Sequence, residues 1–182
     1  QLDRFVDPAL VREKLSVVAQ RTNGPVLLNA DDQNTIMIGS ELNSNAKVAW
    51  FGIDSELLDA SKNGLGAAPT YLPELERPVV QAEILSVDGT TAFAKIDGAT
   101  TSFNLPNRGL HYALDSIAAL ASAKTYLGSD FDLSLSSKVL DELPPVFARG
   151  EIARVGDEDV EFILVQNPMS FQLNLDNLTT NP

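Results

Sequence analysis

The stretch Val26–Asn34, "VLLNADDQN", runs from apolar to acidic without a break and ends near two adjacent carboxylates, Asp31 and Asp32. Carboxylates at such a place can ligate a cation or shape a ligand loop, because α/β folds bind ligands beyond the carboxyl ends of their strands. Neighbours in an extended segment point to opposite faces, so this pair is poorly placed to share one ion. The competing reading is a capped turn, with Asn29 and Asp31 accepting from nearby backbone N–H groups. Two further places carry chemically capable side chains. His111 and Asp115 stand four apart on one face of a helix, a spacing that orients an imidazole for proton transfer or metal binding, or simply makes a structural pair. Arg149, in "PPVFARGE", can fork onto a phosphate or ribose, or pair with Glu151 or another carboxylate.

Composition removes several alternatives. The chain has no cysteine and one histidine, which excludes disulfides, thiolate metal sites and a histidine-rich zinc site. With 13 basic against 25 acidic residues the net charge is −12, and no Lys/Arg cluster offers the counterion release that nucleic-acid binding needs. The same charge argues against anionic lipid surfaces. No apolar run approaches the ~20 residues of a membrane span. A phosphate-cradling G-x-x-x-x-G-K-[ST] loop is absent, "GLGAAP" lacks the following lysine, and no Ser-His-Asp arrangement stands out. The opening "QLDRFVDP" lacks an initiator methionine and a signal peptide, so it reads as a cut through a longer protein. A soluble cytoplasmic α/β domain is expected.

The elements that must position these residues follow from pattern. Asp7-Pro8 suits an N-cap and first turn, and Leu10, Val11, Leu15, Val18 and Ala19 then recur at helical spacing. "GPVLLNA" and "KVAWFGI" are continuous apolar runs, as expected of parallel strands covered on both faces, with a short helix in "QNTIMIGSELN" between them. Residues 55–76, rich in Gly, Pro and Ala, read as a loop or excursion. Asp88-Gly89 and Asp97-Gly98 sit between alternating runs, which predicts a three-stranded antiparallel meander. A long helix follows, with Leu110, Ala113, Leu114, Ile117, Ala118 and Ala121 on one stripe and Gly128 as C-cap. Then come a helix in "DLSLSSKVLDEL", two strands around "GDED", and the start of another helix in "NPMSFQLNLDNL".

Taken in order, "QLDR" before a helix, "VLLNADD" on a strand and "GLHYALDSIAAL" after a meander resemble the central domain of Mur ligases. "FARGE" followed by "VEFILVQNPMSF" resembles the opening of the family's C-terminal domain, and in particular that of MurT-type subunits of lipid II isoglutaminyl synthase. The resemblance implies a Mur central-domain sheet with meander and flanking helices over residues 1–128, its P-loop portion missing. It implies a linker and the truncated start of a Rossmann-like C-terminal domain over 129–182. It further implies an ATP- and Mg²⁺-dependent ligase that, with a GatD-type glutaminase, amidates D-glutamate of lipid II.

Carried onto this chain, Asn29, Asp31 and Asp32 would shape a cleft loop, with His111 beside it. Arg149 would contact ATP ribose or phosphate, and Tyr112 and Asp115 would take the places of two adenine-holding asparagines. The departures are Gln166, Ser170 and Gln172 in the tail string, and the absence of a cysteine-rich zinc ribbon near 55–76, so no zinc is expected. Without the upstream P-loop and the downstream catalytic acid, this chain alone is expected to be inactive. The alternatives are a degenerate Mur-like scaffold without nucleotide use and another Mur-type amide ligase.

Overall fold

The computed structural model describes residues 7–59, 75–143, 149–165, 171 and 174–175. Helix α1 (Pro8–Arg21) starts where Asp7 accepts from the Ala9 N–H at 2.8 Å. Strand β1 (Val26–Asn29), helix α2 (Gln33–Glu41) and strand β2 (Val48–Ile53) then make a β-α-β unit, with β1 and β2 parallel and Val26 opposite Val48. A one-and-a-half-turn helix, α3 (Ser55–Asp59), occupies the beginning of the stretch read as a loop. Most of that stretch, and most of the helix expected near 167–178, lies outside the described residues.

Strand β3 (Ala82–Asp88) returns parallel to β2, and β4 (Thr91–Ile96) and β5 (Ala99–Asn104) complete the meander. The five-stranded sheet runs in the order β1-β2-β3-β4-β5. Asp97 and Gly98 both take positive φ as the central pair of the β4–β5 turn. The β3–β4 turn is shifted by one residue from the sequence reading: Asp88 still pairs with Thr91, so Gly89 leads the turn and alone carries positive φ.

Helix α4 (Leu110–Leu127) covers one face of the sheet. Its Ala113, Ile117, Leu120 and Ala121 meet Ile53, Ile84, Ala94 and Phe103 in the main core. Helix α5 (Leu133–Glu142) packs on β5: Ser137 and Thr101 share a 2.8 Å hydroxyl contact, and Asp141 accepts from the Asn104 N–H at 2.5 Å. That carboxylate satisfies a donor on the open edge of the meander. The second sheet has two strands, β6 (Arg149–Val155) and β7 (Glu158–Ile163), paired antiparallel.

On the opposite face, α2 lies over β1 and β2 so closely that a Cβ on Gly39 would sit 2.5 Å from Cη2 of Trp50. Helix α1 packs on α2 with polar as well as apolar side chains. Ser16 is buried and bonds Glu41, and Arg12 donates to Asn34 at 3.2 Å, whereas Leu10, Leu15 and Val18 are exposed, Val18 at 66%. Val11 and Ala19 of the same apolar set are half-buried, so the molecule covers only part of the stripe; apolar spacing marks a stripe without saying what covers it.

Candidate functional site

The carboxyl ends of β1 and β2 carry the residues that opened the sequence reading. Asn29 Oδ1 accepts from the Asp31 N–H at 2.9 Å, which bends the chain as β1 ends. The two aspartates then diverge. Asp32 turns forward and caps α2, its Oδ1 accepting from the Asn34 N–H at 2.7 Å and from Asn34 Nδ2 at 3.1 Å. Replacing Asp32 with alanine is expected to destabilise the fold by about 1 kcal/mol, read as a lower urea midpoint with unchanged slope.

Asp31 turns back across the sheet. Its side chain is 3% exposed, and Oδ2 accepts from the Ile53 N–H at 2.7 Å while Oδ1 accepts from Arg77 Nε at 2.8 Å. Arg77 completes the clasp by donating through Nη2 to the Ile53 carbonyl at 2.8 Å and to Glu83 Oε1 at 3.1 Å. One guanidinium thereby holds the ends of β1 and β2 and the second residue of β3. Burial opposes the charge on Arg77, but the hydrogen bonds and charges of Asp31 and then Glu83 outweigh it and raise its pKa above the ordinary arginine value. Gly52 is required here, since a Cβ would lie 2.6 Å from Asp31 Oδ2 and 2.8 Å from Arg77 Nη2.

Gln33 adds a second tie. Its amide pairs with the backbone of Leu75, accepting from N–H at 2.8 Å and donating to C=O at 3.2 Å. A cavity of about 490 Å³ opens beside these groups, lined by Ala30, Asp31, Gln33, Leu58, Leu75, Glu76 and Arg77. Arg77, Glu83 and Gln33 were not singled out in the sequence. The available signal was a lone arginine re-entering the sheet after a long excursion, opposite a strand-end aspartate that needs a counter-charge when buried.

The second group lies on α4. A small cavity lined by Leu27, Ala49, Ala121, Lys124 and Thr125 places the last turns of α4 against the beginnings of β1 and β2. The first turn of α4 therefore points toward the same carboxyl edge as Asn29 and Asp31. Asp115 is exposed and His111 half-buried, the imidazole resting on Tyr112 with ring centroids 4.2 Å apart at 38°. Tyr112 is 8% exposed and packs in the main core, so its ring offers little open surface to a ligand base. Arg149 opens β6 opposite Ile163; its side chain lies outside the described residues. The hairpin reaches the α4 end of the molecule through Asn107, whose Nδ2 donates to Glu161 Oε1 at 2.6 Å.

As a fit to ATP, these residues are partial. Asp115 can accept from an adenine amino group, but no described phosphate cradle accompanies it. Among the described residues no group of three or more His, Cys, Asp or Glu side chains is placed to hold a metal ion.

With this geometry in view, solved structures supply the comparison. MurF from Acinetobacter baumannii superimposes over 100% of this chain and 35% of its own, with a TM-score of 0.72 and 13% identity. The chain has a Mur ligase fold. A pseudomurein peptide ligase type C from Methanothermus fervidus matches 90% of this chain and 36% of its own (TM-score 0.69, 16% identity). A murein peptide ligase, Mpl, from Psychrobacter arcticus matches 94% and 32% (TM-score 0.62, 14% identity). The chain thus spans about a third of the length of these Mur ligases. No family model and no curated protein matches the sequence. Among the described residues, no helix is long and apolar enough to cross a membrane.

Proposed function

We propose that this chain is part of a cytoplasmic, ATP-dependent Mur-type ligase that forms a carbon–nitrogen bond in cell-wall precursor synthesis. The observation that carries the reading is the superposition on a Mur ligase along the whole chain. Independent support comes from the sheet itself. Val26 and Ala30 donate to carbonyls of the β2 side, so by strand alternation the N–H groups of Leu27 and Asn29 face away from β2. Helix α1 lies beside α2 and feeds β1, and right-handed crossovers put the strand before α1 on that same free side. A further parallel strand there would also lie near the exposed Leu10, Leu15 and Val18 of α1. Both features fit residues 1–128 as part of a larger central domain whose P-loop portion lies elsewhere in the polypeptide, with 129–182 leading into the next domain.

Within the family we favour MurT-type amidation, on the strength of the "FARGE" and "NP-x-x-F" strings. In that chemistry a carboxylate oxygen of D-glutamate in lipid II attacks the γ-phosphorus of ATP and ADP leaves. Ammonia from a GatD-type glutaminase then attacks the acyl carbon and phosphate leaves. Asp115 would accept from the adenine amino group, and Arg149 would fork onto ribose or phosphate, with Mg²⁺ held by residues outside this chain. The Asp31–Arg77 clasp would hold the cleft loop in shape without touching substrate. The neighbours are peptide ligases by name, which supports another Mur-type amide ligase as the second reading. The enclosed Tyr112 favours a third, a scaffold that no longer binds nucleotide.

The test is reconstitution of the full reading frame with its adjacent glutaminase. Formation of D-isoglutamine from lipid II, glutamine and ATP is expected. Asp115→Ala and Arg149→Ala are each expected to raise the KM for ATP about tenfold, the loss of one charge-assisted hydrogen bond. Peptide addition without glutamine use would select the second reading, and no ATP binding at all the third.

A further inference from the structure

The turn between α1 and β1 carries an Asn-Gly pair, Asn23-Gly24, at the end of the sheet opposite Asp31. Both residues are exposed, and a Cβ built on Gly24 would meet nothing within 4 Å. Such a pair sets an electrophile beside a latent nucleophile: the amide carbon Cγ of Asn23 and the backbone nitrogen of Gly24. Reaction between them has two conditions. The backbone must be able to close a five-membered ring, and the nitrogen must be free to lose its proton. Glycine meets the first best, because it has no Cβ to crowd the ring. Hydrogen bonding decides the second. Among the described residues the Gly24 N–H donates to no acceptor, and the Asn23 side chain makes no hydrogen bond. The other described asparagines up to Asn107 differ. The N–H that follows Asn29 donates to the Phe51 carbonyl at 2.8 Å, and the one after Asn104 to the Thr90 carbonyl at 2.7 Å. The N–H after Asn34 is held by the Asp32 carbonyl and the one after Asn45 by the Asn43 carbonyl, each at 3.0 Å. The N–H after Asn107 is held at 2.7 Å by the Asn107 side chain itself. Asn43 precedes Ser44, which has a Cβ, and its Oδ1 is occupied by the Asn45 N–H at 3.0 Å.

We propose that Asn23 is a site of spontaneous modification, at which the folded chain exchanges a side-chain amide for a carboxylate. The Gly24 nitrogen, its proton taken by hydroxide, attacks Cγ of Asn23. The new N–Cγ bond forms, the Cγ–Nδ2 bond breaks, and ammonia leaves with a proton from water. Water then opens the cyclic imide at either of its two carbonyls. One opening leaves aspartate; the other leaves isoaspartate, whose main chain runs through the former side-chain carbon. Either product adds a negative charge to the wall of a cavity of about 520 Å³ that Asn23 shares with Asn43 and Lys47. Isoaspartate also lengthens the link from α1 to β1 by one atom, just before the Val26 N–H meets the Lys47 carbonyl at 2.8 Å. The reaction consumes only water, so it holds or fails independently of the ligase reading.

The test incubates the folded 182-residue chain at mildly alkaline pH in heavy-oxygen water, which labels each converted side chain. Trypsin releases residues 22–47 as one peptide, in which Asn23, Asn29, Asn34, Asn43 and Asn45 are compared by fragment mass spectrometry. Position 23 should convert first, at least about tenfold faster than Asn29 or Asn45, the equivalent of about 1.4 kcal/mol in the barrier. Its rate should rise with pH, and both aspartate and isoaspartate should appear. In urea the N–H groups after Asn29 and Asn45 lose their acceptors, so these two positions should gain on Asn23. Gly24→Ala fits the open space around residue 24, and a circular-dichroism melt equal to that of the parent confirms it. That variant should slow conversion at position 23 by about tenfold. An Asn23 amide that persists in the folded chain while the urea-unfolded chain loses it overturns the proposal. So does conversion of the Gly24→Ala variant at the parent rate, which would take the Gly24 nitrogen out of the reaction.

Discussion

Arg77→Met is expected to lower the unfolding free energy by about 3 kcal/mol, although no sequence pattern marks Arg77 and its side chain is partly exposed. The cost arises on its partner. Asp31 keeps the Ile53 N–H but loses its counter-charge while only 3% exposed, and the Ile53 carbonyl and Glu83 each lose a donor. A bare carboxylate in a poorly solvated place is far costlier than a missing attraction, because the desolvation already incurred is no longer compensated. The comparison that isolates this is Asp31→Asn in the Arg77→Met background. It removes the stranded charge yet leaves an oxygen for the Ile53 N–H, so it should recover a large part of the loss. Lys138→Met, at the exposed Lys138–Glu142 pair, should change stability by no more than about 0.5 kcal/mol. Because the folded-state pKa of Arg77 is raised, its contribution is complete below the ordinary arginine value. It fades only as the pH climbs through the higher folded value, so the Arg77→Met penalty should not change between pH 6 and pH 9 on Arg77's own account. Urea titration measures all four proteins; an Arg77→Met midpoint equal to that of the parent would remove the clasp from the account.

What could be read from the chain divides along sequence distance. The apolar runs in "GPVLLNA" and "KVAWFGI" carry their own evidence for doubly covered parallel strands, and Asp97-Gly98 carries its own turn geometry. Asn29 behaves as its type suggests because its partner, the Asp31 N–H, is two residues away. Asp31 does not, because both of its partners are remote. Ile53 is 22 residues on and Arg77 is 46, across a strand crossover that no local window contains. The stripe on α1 has the same limit: its spacing is local and marks the helix, while the surface that covers a side chain is not local. Tyr112 adds the complementary case. The "H-Y-x-x-D" string does not show how far its ring is enclosed, which is set by a core assembled from distant strands: Tyr112 is 8% exposed in the cluster that includes Phe103 and Leu105.

Gly39→Ala offers the sharpest test of how α2 seats on the sheet, since two opposing effects have known sizes. In a solvent-facing helix interior the exchange stabilises by up to about 1 kcal/mol. Here the new methyl would lie 2.5 Å from Cη2 and 2.6 Å from Cζ2 of Trp50, with Leu28 Cδ1 at 3.1 Å. The indole cannot bend away as a flexible chain end would, so either α2 lifts or Trp50 leaves its rotamer. Overpacking of this kind costs typically 1–3 kcal/mol, and the net result is expected to be a loss of about 2 kcal/mol. Trp50→Leu opens the space, and in that background Gly39→Ala should change sign and stabilise by up to about 1 kcal/mol. The coupling between the two positions would then be close to 3 kcal/mol, at the upper end of what contacting residues show. Equal effects of Gly39→Ala in both backgrounds would mean that the ring does not lie over the helix, and α2 would lose the contact that sets its height above β1 and β2. That height matters to the site, because Asp32 caps the same helix and Asp31 leaves the strand one residue before it.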